Sequence, residues 1–229
     1  MRIAAIIVAA GTGSRFGNRP DDLPKQYISV SDAPVVYHTF KALASHSHIS
    51  DVVIVYNQHH ERLIAPFKAI TKCVTGGQSR MESALKGLEA LQASEPDYVL
   101  IHDAARPCID KGLIDRVIGR LEPETCVIPV IPVTDTIKDI NGRTVDRDSL
   151  RAVQTPQGFC YETLSRLLQD NQGAALTDES QLFERAGLPV NFVDGAQHNI
   201  KITYPDDLDT ARRYLNTHVQ ATDIIKKAV

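Results

Sequence analysis

Cysteine is scarce in this chain and none of it is grouped. Four Cys stand at positions 73, 108, 126 and 160 of 229 residues, with no Cys-x-x-Cys pair. That excludes a zinc framework or a disulfide scaffold and reads as scattered buried thiols in a reducing cytosol. Positive charge is also in deficit. Twenty-five Lys and Arg against 28 Asp and Glu give a formal net charge of −3. Non-specific nucleic-acid binding needs a broad positive face, so no nucleic-acid partner is expected. Long apolar runs are missing. Ile3–Ala9 follows a single basic residue and runs into Gly11-Thr12-Gly13, which is too short for a spanning helix of about 20 residues and lacks a cleavage region. Neither membrane attachment nor secretion is expected, and the location read from this is cytoplasmic. No linker, low-complexity tract or internal repeat interrupts the chain, which reads as one domain over residues 1–229.

Two familiar phosphate motifs are absent as well. A P-loop needs Gly-Lys-Ser/Thr five residues after its first Gly, and Phe16 stands there after Gly11. A dinucleotide fingerprint needs a third Gly three residues after Gly13 and an acid ending the second strand. Phe16 takes the first place, and the second strand ends Val55-Tyr56-Asn57-Gln58. A nicotinamide-dependent oxidoreductase loses both supports.

What is present is a globular composition, 43% hydrophobic and 23% charged. Short apolar runs at Ile3–Ala9, Val52–Tyr56, Cys73–Thr75, Tyr98–His102 and Cys126–Val130 read as strands buried on both faces. Amphipathic stretches at Pro34–His46, Ser79–Leu91 and Lys111–Leu121 read as helices between them. Ser79 with Glu82 three residues on is a capping box. This alternation predicts an α/β fold with a mostly parallel sheet. The pattern breaks after Val130. Asn141-Gly142 between Ile- and Val-bearing arms signals a hairpin, so residues 132–153 are expected to leave the sheet as a two-stranded arm. Helices at Tyr161–Asp170 and Asp178–Ala186, strands at Val190–Val193 and Asn199–Thr203, a helix at Pro205–His218 and a partly helical or frayed tail at Val219–Val229 complete the expectation.

Ligands of open α/β sheets sit beyond the carboxyl ends of the strands. Ala10–Arg15, Gly76–Arg80 and Asp103–Arg106 all follow predicted strands directly. Gly11 and Gly13 let backbone N–H groups approach phosphate oxygens, and Arg15 and Lys25 supply cations suited to a triphosphate. Ser79 is explained as a helix cap. Arg80 is not, because a cation is disfavoured in the first turn, so it is expected to face a ligand. Asp103 is placed to hold a divalent cation. His102 reads as a structural hydrogen-bonder, and no persuasive His or Glu base stands out.

The series Ala9-Ala10-Gly11-x-Gly13-x-Arg15, Pro24-Lys25-Gln26-Tyr27, Gly76-Gly77-x-x-Arg80, His102-Asp103-Ala104-Ala105-Arg106-Pro107, Val145-Asp146-Arg147, Thr155-Pro156-Gln157, Thr177-Asp178-Glu179 and Asn199-Ile200-Lys201 occurs in this order. It resembles the 2-C-methyl-D-erythritol 4-phosphate cytidylyltransferase family from about Ile3 to Tyr214. The resemblance implies a Rossmann-like, GT-A-like nucleotidyltransferase fold with an extended β-arm, and a homodimer formed through that arm. It implies that CTP and methylerythritol phosphate are joined with release of pyrophosphate, with Mg²⁺, in the non-mevalonate isoprenoid route. It further implies roles. Arg15 and Lys25 bind the triphosphate and stabilise the transition state. Ala9, Ala10, Gly11 and Gly13 form the CTP loop, and Gly76, Arg80 and Ser83 read cytosine. Asp103, Ala104 and Arg106 form the ribose and metal region, with Asp103 toward the metal. Arg147, Thr155, Thr177 and Lys201 hold methylerythritol phosphate, Arg147 reaching from the other subunit. The loop Phe16–Leu23 is longer than in many members. A sister group forming CDP-ribitol shares Pro-Lys-Gln and Asn-Ile-Lys, but Tyr27, Ala105 and Thr177-Asp178-Glu179 favour the methylerythritol side. A non-catalytic nucleotide-binding module is disfavoured by Arg15, Lys25, Asp103 and Lys201 together. Six of the 25 cations fall inside these motifs, so a mildly acidic protein is expected to carry a positive cleft.

Overall fold

A computed structural model of the chain describes residues 1–11, 13, 16, 23–171, 173 and 176–227, the last ten as backbone only. In chain order, β1 (Ile3–Ala9) leads to a small hairpin of β2 (Ser29–Val30) and β3 (Ala33–Pro34). Then come α1 (Val35–Ala44), β4 (Ile49–Tyr56), α2 (Glu61–Ile64), β5 (Lys72–Thr75) and α3 (Arg80–Leu91). β6 (Tyr98–Asp103), α4 (Lys111–Ile118) and β7 (Cys126–Pro132) follow, and then the arm strands β8 (Ile137–Lys138) and β9 (Thr144–Val145). The chain closes with β10 (Arg151–Val153), β11 (Gln157–Cys160), α5 (Tyr161–Asp170), α6 (Ser180–Arg185), β12 (Val190–Asp194) and α7 (Asp207–Lys227).

The main sheet runs in the order β10-β7-β11-β6-β1-β4-β5, with β12 off this path and also paired to β7. β6, β1, β4 and β5 are mutually parallel, and β12 is parallel to β7. β1 shows why its sequence is apolar throughout. Ile3, Ala5 and Ile7 enter the core under α1 and α4, while Ala4 and Ile6 enter the core under α3, α5 and α6. A strand covered on both faces has no polar side to show. α3 buries Met81, Ala84, Leu88 and Leu91, and truncating such a leucine typically costs about 2–5 kcal/mol. Its start follows the predicted capping box. Ser79 Oγ accepts from Glu82 N at 3.0 Å, and Glu82 Oε2 reaches back to Gln78 N at 2.7 Å. Among the described residues no helix is long and apolar enough to cross a membrane.

The sheet departs from the sequence expectation at three places. β11 was not anticipated, and it runs antiparallel between β6 and β7. Its Gly158 explains the fit: a Cβ there would stand 2.6 Å from Leu121 and 2.9 Å from Val117, so only glycine lets this strand lie under α4. β10 belongs to the main sheet rather than to the arm, pairing antiparallel with β7 from Arg151 opposite Pro132. Asn199–Thr203 is not a strand. Its backbone is engaged elsewhere: Ile202 N donates to Ala105 O at 2.8 Å, and Asn199 O accepts from Arg106 Nη1 at 2.8 Å. The predicted hairpin is present as β8 and β9, a separate two-stranded sheet. Asp139 Oδ1 accepts from Asn141 N and Arg143 N within its turn.

Candidate active site

The carboxyl ends of β1 and β6 and the start of α3 enclose a cavity of about 370 Å³. Its wall carries Ala9, Ala10, Gly11, Gly13, Lys25, Arg80, Ser83, Asp103, Ala104 and Lys201 from the predicted set. Gly76 stands directly behind, where a Cβ would lie 2.6 Å from the Ala10 Cβ and 2.8 Å from Ser83 Oγ. Glycine is therefore what lets the first and second loops close on each other. Gln26, quoted in the sequence only as part of Pro-Lys-Gln-Tyr, proves to be a buried strut. Its Nε2 donates to Ala9 O at 2.8 Å and Gly11 O at 3.1 Å, which fixes the path of the Gly loop.

Asp103 is the electrostatic centre. Its side chain is 9% exposed and touches three cations: Arg80 Nη1 at 2.7 Å, Lys201 Nζ at 2.8 Å and Arg106 Nε at 3.6 Å. Burial acts to raise its pKa, but Arg80, Lys201 and Arg106 outweigh it and hold the carboxyl far below the usual carboxylate range. Arg80 also meets Glu179, Nη2 to Oε2 at 3.1 Å. Burial opposes its charge, yet Glu179 and Asp103 hold it more firmly protonated than usual. Among the described residues, three cations against two carboxylates leave the cluster positive, and nearby Lys25 Nζ donates to Ile202 O at 2.6 Å. The sequence pointed to Arg80 and Asp103. It did not point to Glu179, whose signal was its place beside Thr177 in a quoted motif.

Behind Asp103 runs a neutral relay. Asp103 N donates to Thr155 Oγ1 at 3.1 Å, and Thr155 Oγ1 donates to His102 Nδ1 at 2.9 Å. His102 Nε2 then donates to Arg106 O at 3.1 Å. A carbonyl can only accept, so His102 carries its proton on Nε2. Burial pushes its pKa down to about 4. It is a structural hydrogen-bonder, as the sequence suggested.

The predicted residues do not all meet. Arg106 and Thr155 are buried behind the cavity wall, with the Thr155 hydroxyl engaged as just described. Thr177 is exposed and accepts from Gln181. Arg147 lies on the arm, donating to Thr134 O at 2.7 Å. Arg15 and residues 17–22 of the long loop lie outside the described residues. Among the described residues, His46, His48 and Asp115 are spaced as metal ligands would be. They lie at the opposite end of β4 from this cavity.

With this geometry in hand, the chain can be set against known proteins. The family model for 2-C-methyl-D-erythritol 4-phosphate cytidylyltransferase matches residues 3–217. The chain belongs to the 2-C-methyl-D-erythritol 4-phosphate cytidylyltransferase family. It is 41% identical over 220 residues to a protein of Rhodospirillum rubrum named bifunctional enzyme IspD/IspF, covering 93% of this chain and 56% of that one. The chain thus spans little more than half the length of such curated relatives. Among solved structures, 4-diphosphocytidyl-2C-methyl-D-erythritol synthase from Anaerococcus prevotii superposes with a TM-score of 0.79 at 29% identity, covering 93% of this chain and 98% of that one. The Thermus thermophilus 2-C-methyl-D-erythritol 4-phosphate cytidylyltransferase gives 0.76 at 28% identity, with 92% and 98% covered. These likenesses carry the nucleotidyltransferase fold of the family across to this chain.

Proposed function

We propose that this chain joins CTP to 2-C-methyl-D-erythritol 4-phosphate, giving 4-diphosphocytidyl-2-C-methyl-D-erythritol and pyrophosphate. One observation carries this reading: a net-positive cluster around Asp103, with Lys25 close by, lines a cavity at the strand ends of a member of that family. A phosphate monoester is already an anionic nucleophile near neutral pH, so no general base is required. The protein's share is positioning and charge neutralisation. Arg15 and Lys25 would hold the triphosphate, while the Gly11–Gly13 loop offers it backbone N–H groups. Gly76, Arg80 and Ser83 would receive the cytosine, and Ala104 and Arg106 would set the ribose side. Lys201, Thr177 and Arg147 would serve the sugar phosphate, with Thr155 behind the wall holding the Asp103 backbone in place.

Members of such a family work with a divalent cation, and the donor set here fits one. A hard cation takes one or two carboxylates plus phosphate oxygens, and Asp103 is a carboxylate on the cavity wall. Asp103 would hold Mg²⁺, which when bound supplies charge neutralisation on the phosphates. Lys201, now on Asp103, would be left to face those phosphates, while Arg80 keeps its second carboxylate, Glu179.

We propose further that residues 1–229 act as one unit in the cytoplasm. The arm would pair two chains and bring Arg147 of one to the cleft of the other. The arm's exposed residues and the exposed position of Arg147 support this. Pyrophosphate release measured with CTP, Mg²⁺ and methylerythritol phosphate tests the activity, with ribitol 5-phosphate in parallel. Turnover with methylerythritol phosphate is expected. Turnover with ribitol 5-phosphate alone, or with neither, overturns the reading.

A further inference from the structure

Glu179 stands out as a buried carboxylate with no role in the mechanism above. It is 1% exposed and immediately precedes α6. A carboxylate so placed needs a partner, and its partner is Arg80, whose Nη2 donates to Glu179 Oε2. Arg80 is therefore gripped from two sides, by Asp103 at the nucleotide end and by Glu179 at the other. The second grip comes from a different part of the chain. Two residues before Glu179 is Thr177, and Asp178 between them is itself tied down, accepting from Gln157 Nε2 at 3.2 Å and Ser180 Oγ at 2.7 Å. Residues 177–180 are thus tied to one another, and through Glu179 to Arg80.

We propose that Glu179 is the positioning residue that couples the two halves of the cleft. It keeps Arg80 in the nucleotide pocket when Asp103 is drawn toward a ligand. In doing so it links the state of that pocket to the segment bearing Thr177. Planarity matters here: an arginine held by one carboxylate can rotate about its stem, whereas one held at both Nη atoms presents a fixed edge. Coupling between sites is reciprocal. If CTP favours the gripped Arg80, it favours one placement of residues 177–180, and methylerythritol phosphate bound there favours CTP in return. The proposal rests on the cytidylyltransferase reading.

The test is steady-state kinetics and a double-mutant cycle on the full chain. Glu179→Gln keeps the shape and removes the charge. It is expected to raise KM for CTP about tenfold and to abolish the dependence of that KM on methylerythritol phosphate concentration, with kcat changed less than about threefold. Glu179→Asp should recover part of the loss. In an Arg80→Met background, Glu179→Gln should add nothing to KM for CTP. Wild-type turnover combined with unchanged KM values in Glu179→Gln overturns the proposal. So does a Glu179→Gln effect that is fully additive with Arg80→Met. Absence of wild-type turnover is a different result and overturns the functional reading itself. Should Glu179→Gln fail to fold, Glu179→Asp and Arg80→Lys carry the same cycle.

Discussion

In the cleft, Asp103 lies under Arg80, Lys201 and Arg106, and Gln26, Thr155 and His102 brace the backbone around it. On the arm, Arg147 holds the Thr134 carbonyl, Asp139 caps its own turn, and Ile140 at the tip is fully exposed. Both regions carry residues assigned to substrate. The cleft is organised within one chain, at the cost of gathering like charges around a carboxylate. The arm makes its bonds within itself and presents an apolar tip to solvent. Ordered charge at a strand end belongs to a site already built. A single exposed Ile on an ordered hairpin is ordinary surface, so the arm's part in a site has to be tested with a second copy of the chain.

The sharpest way to break this contrast is at its centre. Asp103→Asn removes the counter-ion that Arg80, Arg106 and Lys201 share, leaving Arg80 with Glu179 alone and the buried Arg106 without its carboxylate. Removing one partner of such a cluster costs about 3–5 kcal/mol, read as a lower denaturation midpoint in urea, and turnover should fall by at least about three decades. A variant with near-normal stability and rate would mean that the cluster is incidental. Lys25→Ala and Lys201→Ala come next. Each removes a cation from the cavity wall without stranding a buried carboxylate alone, since Asp103 keeps Arg80. Each should lower kcat/KM by about two to three decades, or roughly 2.7–4 kcal/mol, with the unfolding midpoint nearly unchanged. Loss of stability equal to the loss of rate would place these lysines in the framework instead.

A smaller effect concerns His102. In the native chain it stays neutral down to about pH 4, because burial opposes its charge, whereas its ordinary value is 6.5. Between those values the unfolded chain binds the extra proton, so stability rises with pH across that window and falls as the solution is acidified. The shift is worth about 3 kcal/mol over its full extent. Urea melts at pH 4.5 and 7 should show it in the wild type, and a shallower difference in His102→Gln. An equal difference in both would assign the acid sensitivity to other groups.

How much of this was readable beforehand follows the same division. β1, α3 and the strand-end loops were legible because their chemistry is local. An apolar run, a Ser-x-x-Glu cap and a Gly turn each act on their own neighbours. Arg80 was legible for the same reason, as a cation where the helix dipole rejects one. β11 was not, because Gln157-Gly158-Phe159-Cys160 has neither β-branched residues nor alternation. It becomes a strand through the space under Leu121 and Val117 that only Gly158 can enter. Asn199–Thr203 misled in the opposite sense. Its Ile200 and Ile202 look β-prone, but its backbone is spent on Arg106, Ala105 and Lys25. Glu179 was hidden because its partner is 99 residues away.

The smallest expected change in stability lies on the arm, and there the contrast is best sharpened by mixing chains. Arg147→Ala removes an exposed side chain and should alter the unfolding free energy by no more than about 0.5 kcal/mol, while raising KM for methylerythritol phosphate. A Lys25→Ala chain and an Arg147→Ala chain, both slow at methylerythritol phosphate well below the raised KM, can then be unfolded and refolded together in equal amounts and assayed at that concentration. If Arg147 serves the cleft of a second copy, half the dimers are mixed. One of the two sites in each then has both its own Lys25 and a whole arm opposite. Turnover should return to about one quarter of the wild-type value per chain. If Arg147 serves its own cleft, no mixed dimer contains an intact site and nothing returns. The first outcome makes the arm half of the active site, and the second leaves it a hairpin serving its own chain.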